Sequence, residues 1–480
     1  MQFNSYEFIL IFLPVVFAGY FALNRLHAAA GKLFLAAACV YFYTYTGFAS
    51  LPVLLASVVL NYGASVLIVR KKEYAKLFMA LCVVLNVAIL VYFKYFGFLV
   101  SNINSLLHTS FAIKDIILPL GVSFFTFQQI YYTVNVYRKG SNEKLLDYLV
   151  YILFFPKLIM GPISEPDAII RQFNDEDRKR IQPDNVAAGL RVFSFGLFKK
   201  MVLADTFAAA VFWGFSNIPD AGSLDMFIVM LAYTFELYFD FSGYSDMAIG
   251  ISLMLNIELP INFDSPFKSL SVKEYWRRWH MTLTDFLSKH VYFPLGGSRL
   301  GKTRTYFNVF IVFFISGIWH GANWTYILWG SIHGIICVIE RMLEKVEKKI
   351  PAVLRWAYTF LTVSVLLLLF TSESVSQWVY MVKRILLLRN MTVSPGLMSS
   401  FVIPESGFIL SALHLNALSS FSGLWMLVFF AAAFFICLVP ENNYRTRYKR
   451  SPGSAVLAAV AFAWSFICMG GESVFVYFNF

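Results

Sequence analysis

Apolar runs long enough to cross a membrane as helices recur along the whole chain, separated by short connections rich in lysine and arginine. A helix needs about 20 apolar residues to span the hydrocarbon core of a bilayer. The runs are continuous rather than alternating, which favours helices over the strands of a membrane barrel. The pattern predicts an all-α polytopic membrane protein with about a dozen crossings. The predicted spans are Tyr6–Leu23, Leu33–Ala49, Leu51–Val69, Leu77–Val100, Ile116–Tyr137, Val186–Phe212, Met226–Leu255, a hairpin over Tyr306–Glu340, Ala352–Phe370, Leu424–Leu438 and Ala455–Cys468.

Some segments depart from this simple pattern of spans. Tyr148–Met160 is short, contains a proline and has basic residues on both sides, which predicts a re-entrant segment buried in protein. Within the span Ile116–Tyr137, Pro119 and Gly121 indicate a kink or a broken turn. Ser374–Leu388 carries its apolar residues along one helical side, so we expect a helix that lies on the outer surface.

Composition and charge narrow the class of protein. The 480 residues are 59% hydrophobic and 14% charged, with a net charge of +11. The basic residues cluster in the connections, which is the positive-inside pattern of membrane proteins and favours contacts with anionic lipids, not with nucleic acid. Arg70–Lys76 has four basic residues and one acid, so we place it in the cytoplasm and the N-terminus outside. The five cysteines lie in apolar runs, which predicts neither a disulfide framework nor a metal site.

A histidine lies inside apolar sequence in the segment Ile318–Trp324. At membrane depth a histidine needs a partner or a function, because its desolvation is costly. Gly321 and Asn323 predict that the helix breaks here around a polar pocket. On residue types alone, a functional role for His320 and a packing role are equally consistent with the sequence.

Other charged residues also interrupt the predicted spans. Lys199 and Lys200 lie within Val186–Phe212, where snorkelling to the headgroups and a functional role both fit. Asp240 and Asp246 lie within Met226–Leu255 and should face a wet interior or a basic partner. We favour a structural, hydrogen-bonding role for these two carboxylates.

The connection Asn262–Arg304 combines basic and aromatic residues. It carries eight Lys/Arg residues against three acids, which places it in the cytoplasm. Its cations could hold an anionic ligand, although an interfacial helix with an aromatic and basic edge is an open alternative. A Gly-Gly pair before Arg299 is by itself a weak nucleotide signal. The candidate ligand-contacting residues are Trp276, Arg277, Arg278, His280 and Arg299.

Motifs spread along the chain identify a known family. The most specific are Trp276-Arg277-Arg278-Trp279-His280, Pro294–Arg299, Trp319-His320-Gly321-Ala322-Asn323-Trp324 and Leu328–Gly334, supported by Leu118–Gln128, Phe155–Ile163, Gly196–Lys200, Tyr238–Gly250 and Phe475–Phe480. Through them the chain resembles the membrane-bound O-acyltransferase (MBOAT) family, in particular the branch of the alginate O-acetyltransferase membrane subunit. One departure is Thr371 after Phe370, where that branch usually has arginine, and it affects outer-surface contacts rather than the core chemistry.

The resemblance implies an architecture and a site. The architecture is a ring of about a dozen tilted transmembrane and re-entrant helices around a central tunnel. It forms a single domain over residues 1–480 without a separate soluble domain. The acyl donor would sit on the cytoplasmic side, and the acceptor hydroxyl would arrive from the other side. The invariant histidine of the family maps onto His320 and its second polar position onto His280.

The resemblance also implies roles for these residues. A thioester is already activated, so the chemistry needs a base for the hydroxyl, which a histidine supplies. We assign His320 as the general base, with a transient acyl-histidine as an alternative. His280 would position the thioester or stabilise its oxyanion. His333 could orient His320 or simply pack its helix. The expected donor contacts are Trp276, Arg277, Arg278 and Arg299.

The resemblance further implies a multi-pass protein of the bacterial cytoplasmic (inner) membrane. The donor substrate would be acetyl-CoA, with no permanently bound cofactor. A separate extracytoplasmic SGNH-type protein would be the partner that esterifies an exported polysaccharide. One alternative is a D-alanyl transferase with a carrier-protein donor. An alternative from another class is a polysaccharide or lipid transporter with His320 in a proton relay, which would require internal repeats that we do not find.

Overall fold

The computed structural model describes residues 1–114, 116–421, 423–449, 451–470 and 475. Every regular element within these ranges is a helix, and none of the described residues forms a strand. This confirms the prediction of an all-α protein. The motif at Phe475–Phe480 lies outside the described residues, apart from Phe475.

The helices follow the apolar runs of the sequence. In the first half of the chain they are Phe8–Leu26, Ala28–Thr44, Leu51–Arg70, Lys72–Leu107, Val122–Lys139, Leu145–Leu153, Phe155–Leu158, Pro166–Asn174, Glu176–Lys179, Pro183–Phe198, Lys199–Ala204, Asp205–Ser216 and Ser223–Met254. The later helices are Pro266–Lys268, Val272–Arg278, Met281–Leu287, Ser288–Tyr292, Lys302–His320, Trp324–Met342, Glu344–Glu347, Ala352–Thr371, Val375–Leu386, Pro395–Ser399, Ser406–Ala412, Asn416–Ser420, Leu424–Leu438 and Pro452–Cys468.

Several of these helices suit a membrane. Those long and apolar enough to cross it are Phe8–Leu26, Leu51–Arg70, Lys72–Leu107 and Ala352–Thr371. Shorter apolar helices cover Ala28–Thr44, Leu424–Leu438 and Pro452–Cys468. A multi-pass helical membrane protein is the class that this set of helices supports.

Two predicted segments differ in detail from the observed helices. The predicted span Ile116–Tyr137 becomes a helix only at Val122. Pro119 and Gly121 therefore precede the helix instead of kinking it, and Gly121 adopts the left-handed conformation with φ of 70°. The predicted surface helix Ser374–Leu388 is observed as Val375–Leu386, where Met381 is fully buried and Lys383 is exposed.

The chain forms two compact units. The first contains Met1–Phe195, Tyr244–Ile261 and Arg447–Ala459. The second contains Gly196–Gly243, Asn262–Thr446 and the described residues of Val460–Phe480. All of the candidate site residues predicted from the sequence lie in the second unit.

The interior of the first unit contains a polar cluster, which we call the asparagine cluster and which comprises Asn61, Cys82, Asn86 and Thr133. Asn61 and Asn86 bind each other through both amide groups, with N–O distances of 3.1 and 2.8 Å. The Asn61 oxygen also accepts from the Thr133 hydroxyl at 3.1 Å and from the Cys82 thiol at 3.2 Å. These side chains are almost fully buried, so the hydrogen bonds among them hold their helices together at low desolvation cost.

The predicted re-entrant segment also lies in the first unit. It forms two short helices, Leu145–Leu153 and Phe155–Leu158, separated at Phe154. Of Tyr148–Met160 only Leu149 is half-buried and the others are buried. They include Lys157, whose amine donates to Gln128 and lies 3.8 Å from the centre of the Tyr151 ring. The expected burial of this segment in protein is therefore confirmed, whereas its re-entrance into the membrane stays a prediction.

Two charged residues that interrupt the helices of the second unit, Lys200 and Asp240, are paired with each other. The Lys200 amine lies 2.8 Å from Asp240 and 2.9 Å from Asp205, and Lys200 and Asp240 are almost fully buried. Lys200 therefore does not snorkel. Asp240 therefore has a basic partner, which is one of the two surroundings that the sequence predicted for it, and its structural role stays a prediction.

Candidate active site

Two helices of the second unit, Lys302–His320 and Trp324–Met342, form the scaffold of the site, and we call them the histidine hairpin. They pack closely because glycine faces glycine. A Cβ atom added to Gly317 would lie 2.4 Å from the Tyr326 carbonyl oxygen. One added to Gly330 would lie 2.4 Å from the Phe313 carbonyl oxygen. Only glycine permits this approach, which brings the side chains of the two helices together.

His320 is the last residue of the first hairpin helix. The second helix begins at Trp324, and the Asn323 side chain caps it by accepting from the Thr325 N–H group at 3.1 Å. This confirms the predicted helix break. The His320 side chain is only 3% exposed, and its neighbours are aromatic: its ring centre lies 5.0 Å from that of Trp319 and 5.1 Å from those of Trp329 and Phe370.

His280 lies between the short helices Val272–Arg278 and Met281–Leu287, in the left-handed conformation with φ of 45°. Its ring is buried, with its centre 4.9 Å from that of Phe241 and 6.1 Å from that of Trp319. Trp319 also contacts His320, so one indole lies between the two histidines. The structure thus brings the two predicted catalytic residues into one aromatic cluster.

The ring nitrogens of His280 make no hydrogen bond to the described residues. Burial lowers the pKa of His280 to about 3, because the charged imidazolium would lose its hydration. The ring is therefore neutral at physiological pH, and it has one nitrogen that can donate and one that can accept.

A second cluster lies beside His320. The Trp276 indole N–H donates to the Nδ1 atom of His333 at 3.1 Å, and the two ring centres are 5.0 Å apart. The Trp329 ring lies between this pair and His320, with centre-to-centre distances of 5.4 Å to Trp276, 4.9 Å to His333 and 5.1 Å to His320. The predicted ligand contact Trp276 is thus linked to His320 through one further indole.

A cavity of about 290 Å³ opens next to these rings, and we call it the basic cavity. Trp276 and Ser316 are among its lining residues, and Ser316 precedes His320 by one helical turn on the same helix. Cations line it at Lys273, Arg277 and Arg341. Much of the remaining wall is apolar and includes Leu283, Leu287, Val309, Val312 and Phe313. This combination suits a ligand with an anionic part and a part that enters a dry interior.

The four predicted donor contacts separate into two groups. Trp276 and Arg277 line the basic cavity, whereas Arg278 and Arg299 are not among its lining residues. Arg278 lies 3.0 Å from Glu274 and 3.9 Å from Asp264 in ion pairs, and Arg299 is exposed. Arg277 and Arg278, adjacent in the sequence, therefore lie in different surroundings: the former lines the basic cavity and the latter forms ion pairs.

Sequence reasoning missed three residues of the site. Lys273 precedes Arg277 by four positions, so both cations lie on one face of their short helix, a spacing that could have singled out Lys273. Arg341 follows His333 by two turns of the second hairpin helix. Glu340, on that helix, accepts from the Val272 and Lys273 N–H groups at 2.8 Å each and so anchors the helix that carries Arg277.

Comparisons with known proteins show which family and which relatives this chain resembles. Residues 138–382 match the model of the MBOAT, membrane-bound O-acyltransferase family. The peptidoglycan O-acetyltransferase of Helicobacter pylori is 33% identical over 100% of this chain and 98% of that relative. A probable alginate O-acetylase of Azotobacter vinelandii is 37% identical over 78% of this chain and 76% of the relative. A teichoic acid D-alanyltransferase of Streptococcus thermophilus is 32% identical over 48% of this chain and 59% of the relative.

Proposed function

The chain belongs to the membrane-bound O-acyltransferase family and is an acyltransferase, and from this premise we propose that it O-acetylates a cell-surface glycan with acetyl-CoA as donor. The names of two relatives support a glycan acceptor: one acts on peptidoglycan and one is a probable alginate O-acetylase. The peptidoglycan enzyme is similar over the full length of this chain, which favours an acetyl transferase.

Our choice of acetyl-CoA as the donor rests on the basic cavity. Coenzyme A bears several phosphate charges at one end and its thioester at the other. Lys273, Arg277 and Arg341 supply three cations for the phosphates, and the apolar wall leads toward Ser316, one turn from His320. A thioester that enters along this wall would reach the aromatic cluster around the two histidines.

The chemistry then needs few groups. His320 accepts the proton of the acceptor hydroxyl while the hydroxyl oxygen attacks the thioester carbonyl carbon. Collapse of the tetrahedral intermediate breaks the C–S bond, and the leaving thiolate takes the proton from His320. His280, neutral and next to Trp319, positions the thioester. The dry aromatic surroundings of His320 limit hydrolysis of the thioester by water.

The proposal extends to location and partner. We place the protein in the bacterial cytoplasmic membrane with its N-terminus outside and the Asn262–Arg304 connection in the cytoplasm, as the basic connections indicate. The acetyl group would leave on the opposite side, where a separate SGNH-type protein would pass it to the polysaccharide. This partner rests on the family resemblance alone.

A second candidate is D-alanyl transfer from a carrier protein, because a teichoic acid D-alanyltransferase is among the relatives. That similarity covers 48% of this chain. A carrier delivers its donor from a broad docking surface, whereas the basic cavity is small and its cations are grouped. Acetyl-CoA therefore remains the leading donor.

The test is transfer by the purified protein in nanodiscs. Radiolabelled acetyl-CoA is supplied together with membranes that contain the partner and its glycan. We expect label on protein or glycan with the wild type and with His108→Asn, an exposed histidine outside the site, but not with His320→Ala. Equal transfer by His320→Ala would overturn the role of His320. Transfer from a D-alanyl carrier protein, but not from acetyl-CoA, would overturn the donor.

A further inference from the structure

Two buried N–H groups in the rings beside His320 have no acceptor among the described residues. The first belongs to His333. Its Nδ1 atom accepts from the Trp276 indole, so the neutral ring carries its proton on Nε2. The second is the indole Nε1–H of Trp329. Within the described ranges neither Nε2 of His333 nor Nε1 of Trp329 has a hydrogen-bond partner, and the two side chains are 1% and 2% exposed.

Such groups are costly to leave unpaired. A buried donor without an acceptor loses its hydration without compensation, and most buried polar groups in native proteins are paired. Two unpaired donors side by side therefore need an explanation. A ligand that brings an acceptor oxygen would supply one.

The positions of these two N–H groups relative to His320 and to the basic cavity indicate which substrate oxygen they would bind. Trp329 and His333 are four residues apart on the second hairpin helix, so they lie on the same face, with ring centres 4.9 Å apart. The Trp329 ring centre is 5.1 Å from that of His320. Cys337, one turn beyond His333 on this helix, lines the basic cavity together with Trp276. The two donors thus lie between the cavity and the proposed base.

We propose that the Nε2–H of His333 and the Nε1–H of Trp329 bind the carbonyl oxygen of the acyl thioester and stabilise it as an oxyanion. This inference rests on the proposed function. As the acceptor oxygen attacks the carbonyl carbon, the C=O electron pair moves to that oxygen, and the two N–H groups hold the resulting negative charge. When the C–S bond breaks, the pair returns and the thiolate leaves with the proton from His320.

Trp276 acts as a positioning residue in this scheme. Its indole N–H occupies Nδ1 of His333 and so fixes the tautomer that presents the Nε2 proton. Without that hydrogen bond the ring could carry its proton on Nδ1 and turn an acceptor toward the substrate oxygen. The two electron pairs would then repel each other.

Paired substitutions distinguish oxyanion binding by His333 and Trp329 from a role in packing alone. A glutamine places its amide N–H near the position of the histidine Nε2, whereas an asparagine reaches only as far as Nδ1. We expect His333→Gln to keep kcat within about fivefold, and His333→Asn and Trp329→Phe to lower kcat by about 10²-fold with an unchanged KM for the donor, as loss of an oxyanion donor does. Trp276→Phe should lower kcat less. Trp356→Phe, which removes an indole N–H bound to the Phe267 carbonyl outside the site, is the control.

A second measurement is independent of turnover. Acetyl-CoA labelled with carbon-13 at the carbonyl is bound to the protein without acceptor, and the carbonyl stretch is recorded by infrared difference spectroscopy. Two N–H donors polarise the C=O bond, so we expect a lower frequency with the wild type than with Trp329→Phe. Equal frequencies, or equal kcat for Trp329→Phe and wild type, would overturn the proposal.

The outcome is distinguishable from failure of the proposed function. If acetyl-CoA is not the donor, no wild-type transfer occurs, and the same variants are ranked with the D-alanyl carrier thioester, which presents the same carbonyl group. Loss of activity in His333→Gln equal to that in His333→Asn, in variants that elute and melt like the wild type, would show that His333 only packs its helix.

Discussion

In the second unit, the rings of His280, His320, Trp329 and His333 form what we call the aromatic histidine cluster. The asparagine cluster of the first unit and this cluster are both buried and contain polar groups, but their hydrogen bonding differs. In the former, both amide groups of Asn61 and Asn86 are paired within the cluster. In the latter, atoms of His280, His333 and Trp329 have no partner among the described residues. Paired groups stabilise the fold, whereas groups left unpaired in a dry interior are available to a substrate. In this comparison, the unpaired donors belong to the cluster that we propose as the site.

The largest effect is expected from removing the imidazole at the site. His280→Asn should lower the transfer rate by about 10²-fold, the size typical of a lost positioning or acid–base group. We expect the variant to fold, because asparagine tolerates the left-handed backbone of this position. Transfer assays and thermal unfolding in the same nanodiscs check both. A rate within twofold of wild type would place His280 outside the chemistry.

The opposite result is expected in the asparagine cluster. Asn61→Ala removes an amide that binds Asn86, Cys82 and Thr133, and should destabilise the protein by about 2 kcal/mol, since their buried groups lose a partner. The rate per folded molecule should not change. The check is thermal unfolding together with transfer normalised to the folded fraction. A stable but slow variant would contradict the division between the two clusters.

The pH dependence of stability provides a further test of the buried His280 ring. The pKa of His280 is about 3 in the folded protein and near 6.5 in the unfolded chain, so the unfolded chain binds the proton more strongly between these values. Stability is therefore complete above pH 6.5 and falls as the pH drops below it. At pH 5.5 the loss is about 1.4 kcal/mol, and His280→Asn should remove it. Melting curves of both proteins from pH 7.5 to 5.5 provide the measurement, and parallel curves would be inconsistent with a buried neutral imidazole.

The smallest effect concerns the neighbouring arginines. Arg277→Ala should raise the KM for acetyl-CoA about fivefold, because one charge-assisted contact with a phosphate is lost. Arg278→Ala should change it less than twofold, because Arg278 is paired with Glu274 and Asp264. Initial rates over a range of acetyl-CoA concentrations at constant ionic strength measure the difference. An equal change in KM for the two variants would mean that Arg277 has no particular role in binding the donor at the basic cavity.

The sequence was informative where one residue type determines local structure. Apolar runs predicted the helices, and the glycine and asparagine after His320 predicted the break between the hairpin helices. Pro119 and Gly121 predicted a kink or a broken turn, but the sequence did not predict that the helix would start only after them. The helix begins at Val122, since the preceding Gly121 adopts a positive φ that is not helical.

Contacts between distant residues were beyond sequence reasoning. The tautomer of His333 depends on Trp276, 57 residues earlier in the chain. The basic cavity combines Lys273 and Arg277 from a short helix with Arg341 from the end of the hairpin, so no single segment contains its charge pattern. The sequence left snorkelling and a functional role open for Lys200, because its partner Asp240 lies on another helix.

The most direct measurement is a cryo-electron microscopy structure of the protein in nanodiscs with a non-reactive ketone analogue of acetyl-CoA, in which CH₂ replaces the sulfur. We predict phosphates next to Lys273, Arg277 and Arg341, and the carbonyl oxygen within hydrogen-bond distance of the His333 and Trp329 N–H groups. An analogue bound with its phosphates elsewhere, or with its carbonyl away from the aromatic cluster around His320, would contradict the account.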